Sequence, residues 1–240
     1  MRAGVTVCRL RGIPIDLQAS WPPVFFFVAW TLAERFFPRI YPPWSLLGDW
    51  SLGLLSSGLL FGSLLAHEFG HALVARGRGL TVYRISLFLF GGVAEIDLDG
   101  GKALDEFWLA SAGPAVSLAL AIICLGLWLE AIGLDPHFRA IALYLGMSNG
   151  LLGAFNLLPG YPLDGGRILR SALWSIDGNL ERATRYARWS GQVLGGAILL
   201  AGLAWLAQRS YVDGGWLAAL GLFLILAARD AIPRSLLLPS

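Results

Sequence analysis

His67, Glu68 and His71 stand in the run His67-Glu68-Phe69-Gly70-His71, where two imidazoles flank a carboxylate at a spacing that metal chemistry uses. On an α-helix, positions i and i+4 share one face with Cβ atoms about 5–6 Å apart. That suits two imidazoles bound to a single tetrahedral Zn2+, with Glu68 beside them as general base for a water at the metal. The run follows the uncharged stretch Trp50–Ala66. An acid and two imidazoles are costly to desolvate in such surroundings, so a packing or pH-sensing role competes poorly with a functional one.

A catalytic zinc takes three protein ligands and keeps one position open. Asp164 is the best third ligand, because it follows a second long uncharged stretch, Ala140–Leu163. It stands in Asn156-Leu157-Leu158-Pro159-Gly160-Tyr161-Pro162-Leu163-Asp164-Gly165-Gly166, where two prolines and three glycines must break a helix. Broken backbone within a bilayer is tolerated where it is buried in protein or lines a watery cavity, and a metal site is such a place. The competing reading is an interfacial turn in which Asp164 only caps the next helix. His137, beside Asp135 and Pro136 in a loop on the opposite side, is not expected to be a ligand. The small residues of Ser111-Ala112-Gly113-Pro114-Ala115-Val116-Ser117 fit helix packing at least as well as a part in catalysis. Gly191 and Gly195, a G-x-x-x-G, are read as packing.

The elements that position these groups follow from composition. Of 240 residues 56% are hydrophobic and 14% charged, with mean hydropathy +0.65. A soluble domain carries about 25% charged residues, so this chain cannot coat a water-facing surface, and disordered, collagen-like and secreted disulfide classes are excluded too. The net charge of +2 is small and its basic residues are scattered, which argues against a nucleic-acid partner. Two cysteines, Cys8 and Cys124, suggest no disulfide framework. Arg9, Arg11 and Asp16 interrupt the first 20 residues, so no cleavable signal peptide is expected and the first helix directs insertion.

Crossing a hydrocarbon core needs about 20 mostly apolar residues, and windows near that length recur at Ser20–Phe37, Leu46–Val74, Phe107–Leu129, Phe138–Leu158, Trp189–Gln208 and Tyr211–Ala228. The expected fold class is an all-α polytopic membrane protein of about six transmembrane helices. Between the second and third windows, Thr81–Ile96 is β-branched and aromatic, so a short membrane-associated β-hairpin or sheet turning at Gly91-Gly92 is expected there. With the N-terminus inside, fourteen of the 18 Lys and Arg fall on the cytoplasmic side, Arg2 and Arg234 among them. His67 precedes Arg76 by about 14 Å of helix, and Asp164 just precedes Arg167 and Arg170, so both belong in the cytoplasmic half of the bilayer. Trp44, Trp50 and Trp216 read as interfacial anchors. No repeat or linker divides the chain, so 1–240 is expected to be one polytopic transmembrane domain, with 189–229 forming the last two helices.

His67–His71, the S-A-G-P-A block at 111–115, F-G-G at 90–92 and N-x-x-P-x-x-P-L-D-G-G from Asn156 together resemble the site-2 protease family. These are intramembrane zinc metalloproteases that carry out regulated intramembrane proteolysis, and the likeness covers roughly 9–170. It is closest to the six-span branch that often carries cystathionine-β-synthase domains. No PDZ-like insertion is seen, and 1–240 leaves no room for such a pair of domains. The resemblance implies His67, His71 and Asp164 as ligands of one Zn2+ per chain, and Glu68 as the residue that activates water. It also implies Asn156 as a polar neighbour that steadies the tetrahedral intermediate, and a strand at Phe88, Phe90, Gly91, Gly92 and Val93 that holds extended substrate by edge pairing. It implies single-span membrane-protein substrates of the anti-sigma-factor or membrane-tethered regulator class, and a multi-pass place in the plasma membrane. A metal transporter using intramembrane His and Asp as a transit site accounts for the ligands but not for Glu68. An inactive relative that binds membrane segments would be expected to lose a ligand or the base, and a soluble zinc peptidase has no place for the apolar spans.

Overall fold

The computed structural model describes residues 4–40, 45–89, 91–97, 101–133 and 135–230. Phe90 of the expected substrate strand lies outside these residues, as do Arg2, Trp44 and Arg234. The chain forms two compact units, Met1–Asp97 with Ala112–Ala154, and Leu98–Ser111 with Phe155–Ser240.

The first unit opens with β1 (Val5–Leu10) and β2 (Ile13–Leu17). They are joined by Arg11-Gly12 with φ of 49° and 83°. Positive φ at both turn residues matches the right-handed twist of a two-residue hairpin, and Gly12 adopts it without strain. Next comes α1 (Trp21–Thr31), then a π-helical turn over Leu32–Phe36, α2 (Phe37–Ile40) and the long helix α3 (Leu46–Gly77). Ser45 caps α3 by accepting from Gly48 N at 3.0 Å, and Asp49 and Arg76 complement the helix dipole at its two ends.

β3 (Val82–Phe88) and β4 (Gly91–Ile96) complete a four-stranded sheet in the order β1-β2-β3-β4. The hairpin expected at Gly91-Gly92 is therefore half of a sheet whose other half comes from the N-terminus. β2 runs parallel to β3 through Ile15–Leu17 only, so Pro14, which has no N–H to donate, lies outside that pairing. Ile13, Ile15 and Ile85 bury their side chains together with Ala72, and Leu65 and Phe69 of α3 pack against them. The sheet thus rests on the part of α3 that carries the histidines.

α4 (Ala103–Glu130) and α5 (Pro136–Asn156) follow. Leu32, Phe37 and Leu52 form a second cluster with Ala140, Tyr144 and Leu145 of α5. Asn149, fully buried on α5, donates to Ser63 Oγ of α3 at 3.1 Å. An amide away from water is costly without such a bond, which here also ties the two helices.

The second unit holds α6 (Asp164–Asp177), α7 (Leu180–Ala207) and α8 (Tyr211–Asp230). Gly178 ends α6 at φ 66°, where a side chain would be strained, and Asn179 caps α7 by accepting from Arg182 N at 2.9 Å. Gly195 and Gly202 of α7 meet Gly221 and Ala218 of α8 so closely that a Cβ on either glycine would press on the partner's backbone. The G-x-x-x-G reading as packing agrees with this for Gly195.

Four of these helices, α3, α4, α7 and α8, are long and apolar enough to cross a membrane. Only 17–39% of the residues in their apolar windows are buried. Exposed Leu54, Leu55, Ile122, Ile123, Leu200 and Leu222 therefore face a solvent that must itself be apolar. The first expected span is a shorter helix interrupted by the π-helical turn, and the fourth corresponds to α5, which falls outside the group of four. The all-α membrane class with a small sheet agrees with the sequence reading, while its count of six rests on helices beyond those four.

Candidate metal centre

His67, Glu68 and His71 lie past the middle of α3 and are 2%, 7% and 3% exposed. The helix supplies the i, i+4 relation, and the imidazole ring centroids are 5.0 Å apart with their planes at 78°. Nδ1 of His67 is 2.8 Å from Ser117 Oγ on α4. If Nδ1 is the protonated nitrogen and donates to the hydroxyl, Nε2 is the nitrogen that would bind a metal, the arrangement a metal-binding imidazole requires.

Gly113, one helical turn before Ser117, forms the wall that both rings face. A Cβ on Gly113 would collide with Nε2 of His67 and Nε2 of His71 at once. Both Nε2 atoms therefore converge on one small space lined by bare α4 backbone. Gly70 serves the same approach from α3, because a Cβ there would lie 2.9 Å from Val116 Cγ2 and 3.2 Å from Ala112 O. The S-A-G-P-A block thus packs helices, as one of its two sequence readings had it, and its Gly113 backbone also walls the imidazoles. Ser117 is the residue that the sequence reasoning passed over. Its one signal is the helical spacing from Gly113, which puts a hydroxyl and a bare backbone on one face of α4.

Glu68 is seated by the sheet. A Cβ on Gly92 would be 2.5 Å from Glu68 Cγ and 3.0 Å from Oε1, so β4 passes directly along the carboxylate. β4 is the last strand in the sheet order and pairs with β3 through Phe88 with Gly91, Leu87 with Gly92 and Ser86 with Val93.

In the second unit, Asp164 is the first residue of α6 and is 8% exposed. The helix break falls where the prolines and glycines predict it, between the end of α5 at half-buried Asn156 and the start of α6. Both glycines after Asp164 are required by close approach. A Cβ on Gly165 would overlap the carbonyls of Leu157 and Leu158, and one on Gly166 would overlap Tyr161 N. The first turn of α6 therefore lies on the backbone that precedes it, and Gly160 N to Leu158 O (2.8 Å) and Leu163 N to Gly160 O (2.9 Å) tighten the bend. Gly191 of α7 receives the carbonyl of Tyr161, whose N–H donates to Ala187 O at 3.1 Å. Of the two glycines read as helix packing, Gly191 instead seats the loop that leads to Asp164.

Arg170 and Glu106 were also missed from sequence. Both are buried, and Arg170 Nε donates to Glu106 Oε1 at 2.9 Å, with Nη2 contacting the same oxygen. Burial works against the Arg170 charge, but the Glu106 carboxylate and Tyr161 outweigh it and hold the pKa above the usual arginine value. His137 is partly buried, with its Nδ1 3.0 Å from Asp135 Oδ1.

Peptidase family M50 matches this chain over residues 56–135 and 128–201. The Mycobacterium tuberculosis protein Rip3, which bears a zinc-metalloprotease name, is 36% identical over 236 residues, covering 98% of this chain and 60% of its own length. The similarly named Synechocystis protein sll0528 is 37% identical over 227 residues, covering 94% of this chain and 59% of its own. The chain thus spans about 60% of the length of these relatives. The solved structure of a site-2 protease from Methanocaldococcus jannaschii is similar with a TM-score of 0.64 and 28% identity, covering 95% of this chain and 94% of that one.

Proposed function

The chain belongs to peptidase family M50, the site-2 proteases, and on that footing we propose that it is an intramembrane zinc endopeptidase that cleaves membrane-spanning segments. The observation that carries this reading is the convergence of His67 Nε2 and His71 Nε2 on the bare backbone of Gly113, deep in an apolar helix pair. We propose His67, His71 and Asp164 as the ligands of one Zn2+; all three are buried and each offers one donor atom. Two neutral imidazoles and one carboxylate are the donor set of many catalytic zinc sites, and they leave a position open. Bound there, zinc supplies Lewis-acid polarisation of the scissile carbonyl and a lowered pKa for water.

The protein groups do the rest. Glu68 takes the proton of the attacking water and delivers it to the leaving amide nitrogen, the ordinary work of a general base that becomes a general acid. Its place against Gly92 supports a second part of the reading. A substrate strand added to the outer edge of β4, at Phe88 and Gly91–Val93, would run beside that carboxylate with its backbone held by main-chain hydrogen bonds. A transmembrane helix must be unwound before its peptide bonds can be attacked, and strand addition does this. Asn156, at the end of α5, is proposed to steady the developing oxyanion.

Both units are proposed to act as one domain over 1–240, in the plasma membrane, with the N-terminus and the site toward the cytoplasm. The substrate class is single-span membrane proteins, such as anti-sigma factors or membrane-tethered regulators. Metal transit explains neither the seating of Glu68 nor the outer edge of β4, against which no strand pairs among the described residues.

The test compares wild type with Glu68→Gln in detergent, using a single-span peptide with a helix-breaking residue in its span. Wild type is expected to carry one zinc and to cut within the span. The Gln variant is expected to keep its zinc and to lose about 10²–10⁴-fold in rate. Cleavage at the wild-type rate by Glu68→Gln would remove that residue from its role, and folded wild type without tightly bound zinc would remove the metal reading.

A further inference from the structure

A buried ion pair in the second unit has no part in the proposed reaction. Glu106 stands in the first turn of α4 and Arg170 at the middle of α6, and both are largely hidden from solvent. Arg167, on the same helix, comes within 3.8 Å of Glu106 Oε1. Burying an ion pair costs several kcal/mol of desolvation per charge, so it is a poor way to stabilise a fold. Its better-attested use is to fix register between elements.

The register fixed here is that of α6, which begins at Asp164. Arg170 is two turns along α6 from Asp164. The Tyr161 ring, in the loop before Asp164, lies over its guanidinium at 5.3 Å. Tyr161 is in turn held at α7 by its N–H bond to Ala187 O and by the close fit of its carbonyl to Gly191. Arg170, a residue of the helix that leads out of Asp164, therefore holds that helix against the loop that leads into it. Glu106 completes the grip from α4, and two turns further along α4 stands Gly113, which walls the imidazole nitrogens.

We infer that Glu106 and Arg170 are positioning residues for the third zinc ligand: the pair sets where the start of α6 presents the Asp164 carboxylate. Neither touches metal or substrate. This inference rests on the reading of Asp164 as a ligand, and its test separates the two.

The experiment measures the rate at which zinc passes to a chelator from the full chain in detergent, together with the visible absorption of the Co2+-substituted protein. Wild type, Asp164→Ala, Glu106→Gln, Arg170→Lys and the double variant Asp164→Ala/Glu106→Gln are compared, each at matched thermal midpoint. Loss of an outer partner of a metal ligand costs about 10–100-fold in affinity. Glu106→Gln and Arg170→Lys are each expected to release zinc about tenfold faster and to alter the Co2+ bands. The double variant is expected to release zinc no faster than Asp164→Ala alone, because Glu106 acts only through Asp164. Should Glu106→Gln fail to fold, Arg170→Lys, which keeps the charge but not the forked donor geometry, carries the same reading. Unchanged release and unchanged bands in the folded variants, or a Glu106 effect that simply adds to Asp164→Ala, overturn the inference. If Asp164→Ala itself leaves zinc retention unchanged, the ligand reading fails instead.

Discussion

The two stretches of chain proposed to supply the zinc ligands are held in place by different means. His67 and His71 lie inside the 32-residue helix α3, where backbone hydrogen bonds fix their spacing without outside help. Asp164 opens the 14-residue helix α6 directly after a broken segment, so no helical period sets its spacing from the histidines. Its placement depends on close contacts from Gly165, Gly166 and Gly191 and on the buried Arg170–Glu106 pair. A ligand pair on one helix is robust because its geometry is the period of the helix. A lone ligand at a helix start is only as well placed as the contacts around it. The histidine stretch should therefore fail only when its shared space is filled, and the aspartate stretch when any of several supports is removed.

The largest effect is expected at the histidine stretch from Gly113→Ala. Its Cβ would occupy the space on which both Nε2 atoms converge, so zinc affinity should fall by about a hundredfold or more with the fold retained. Elemental analysis of the gel-filtered protein checks this. Full zinc occupancy in a folded Gly113→Ala protein would show that the histidines bind elsewhere, and the comparison would collapse.

Gly166→Ala probes the aspartate stretch. Its Cβ would overlap Tyr161 N, and forced overpacking costs about 1–3 kcal/mol. The thermal midpoint should drop and zinc affinity should fall about tenfold, while the histidine pair still binds the residual metal. Calorimetry and metal titration report the two effects separately. A variant with lowered stability but wild-type zinc affinity would mean that Asp164 is less dependent on its surroundings than argued.

Ser117→Ala should be milder. It removes the hydroxyl that lies 2.8 Å from His67 Nδ1 and leaves the helix spacing untouched, so about a tenfold loss of zinc affinity is expected with no change in thermal midpoint. Metal-competition titration is the check. No loss at all would mean that the helix alone orients His67, which would sharpen the contrast with Asp164.

The smallest effect is expected away from both stretches, at Asp135. Backbone N–H groups of His137 and Phe138 hold its carboxyl below the usual aspartate value as it caps α5. A carboxyl with a lowered folded-state pKa contributes fully above its unfolded pKa, and the contribution is lost as pH falls through the folded value. Asp135→Asn should therefore lower the thermal midpoint slightly at pH 7, by an amount that shrinks as the solution is acidified, and leave zinc binding unchanged. Thermal melts across pH test it. An effect that grows with acid would overturn the capping account.

Much of the candidate site was legible in the order of residues along the chain. The His67–His71 spacing, the break between Asn156 and Asp164 and the apolar helices all depend on neighbours within a turn or two, and such information lies in the local pattern of residue types. The N-terminal half of the sheet was not legible. Val5–Leu10 and Ile13–Leu17 are short, contain Pro14, and become a sheet only by pairing Ile15–Leu17 with Ile85–Leu87 across an intervening run of helices. Gly113 was legible as a small residue but not as the wall of the imidazole site, since many small residues line helix contacts.

Sequence alone determined the membrane class, the chemistry of the donor set and the spacing of the histidines, because these follow from composition and helical period. Tertiary structure alone decided that Gly113 faces both Nε2 atoms, that Ser117 meets His67, that Gly92 seats Glu68 and that Glu106 pairs with Arg170. Those are meetings of residues far apart in the chain, between side chains and backbones whose types are ordinary. Their identity lies in where the helices and strands pack, and no short window of sequence records that.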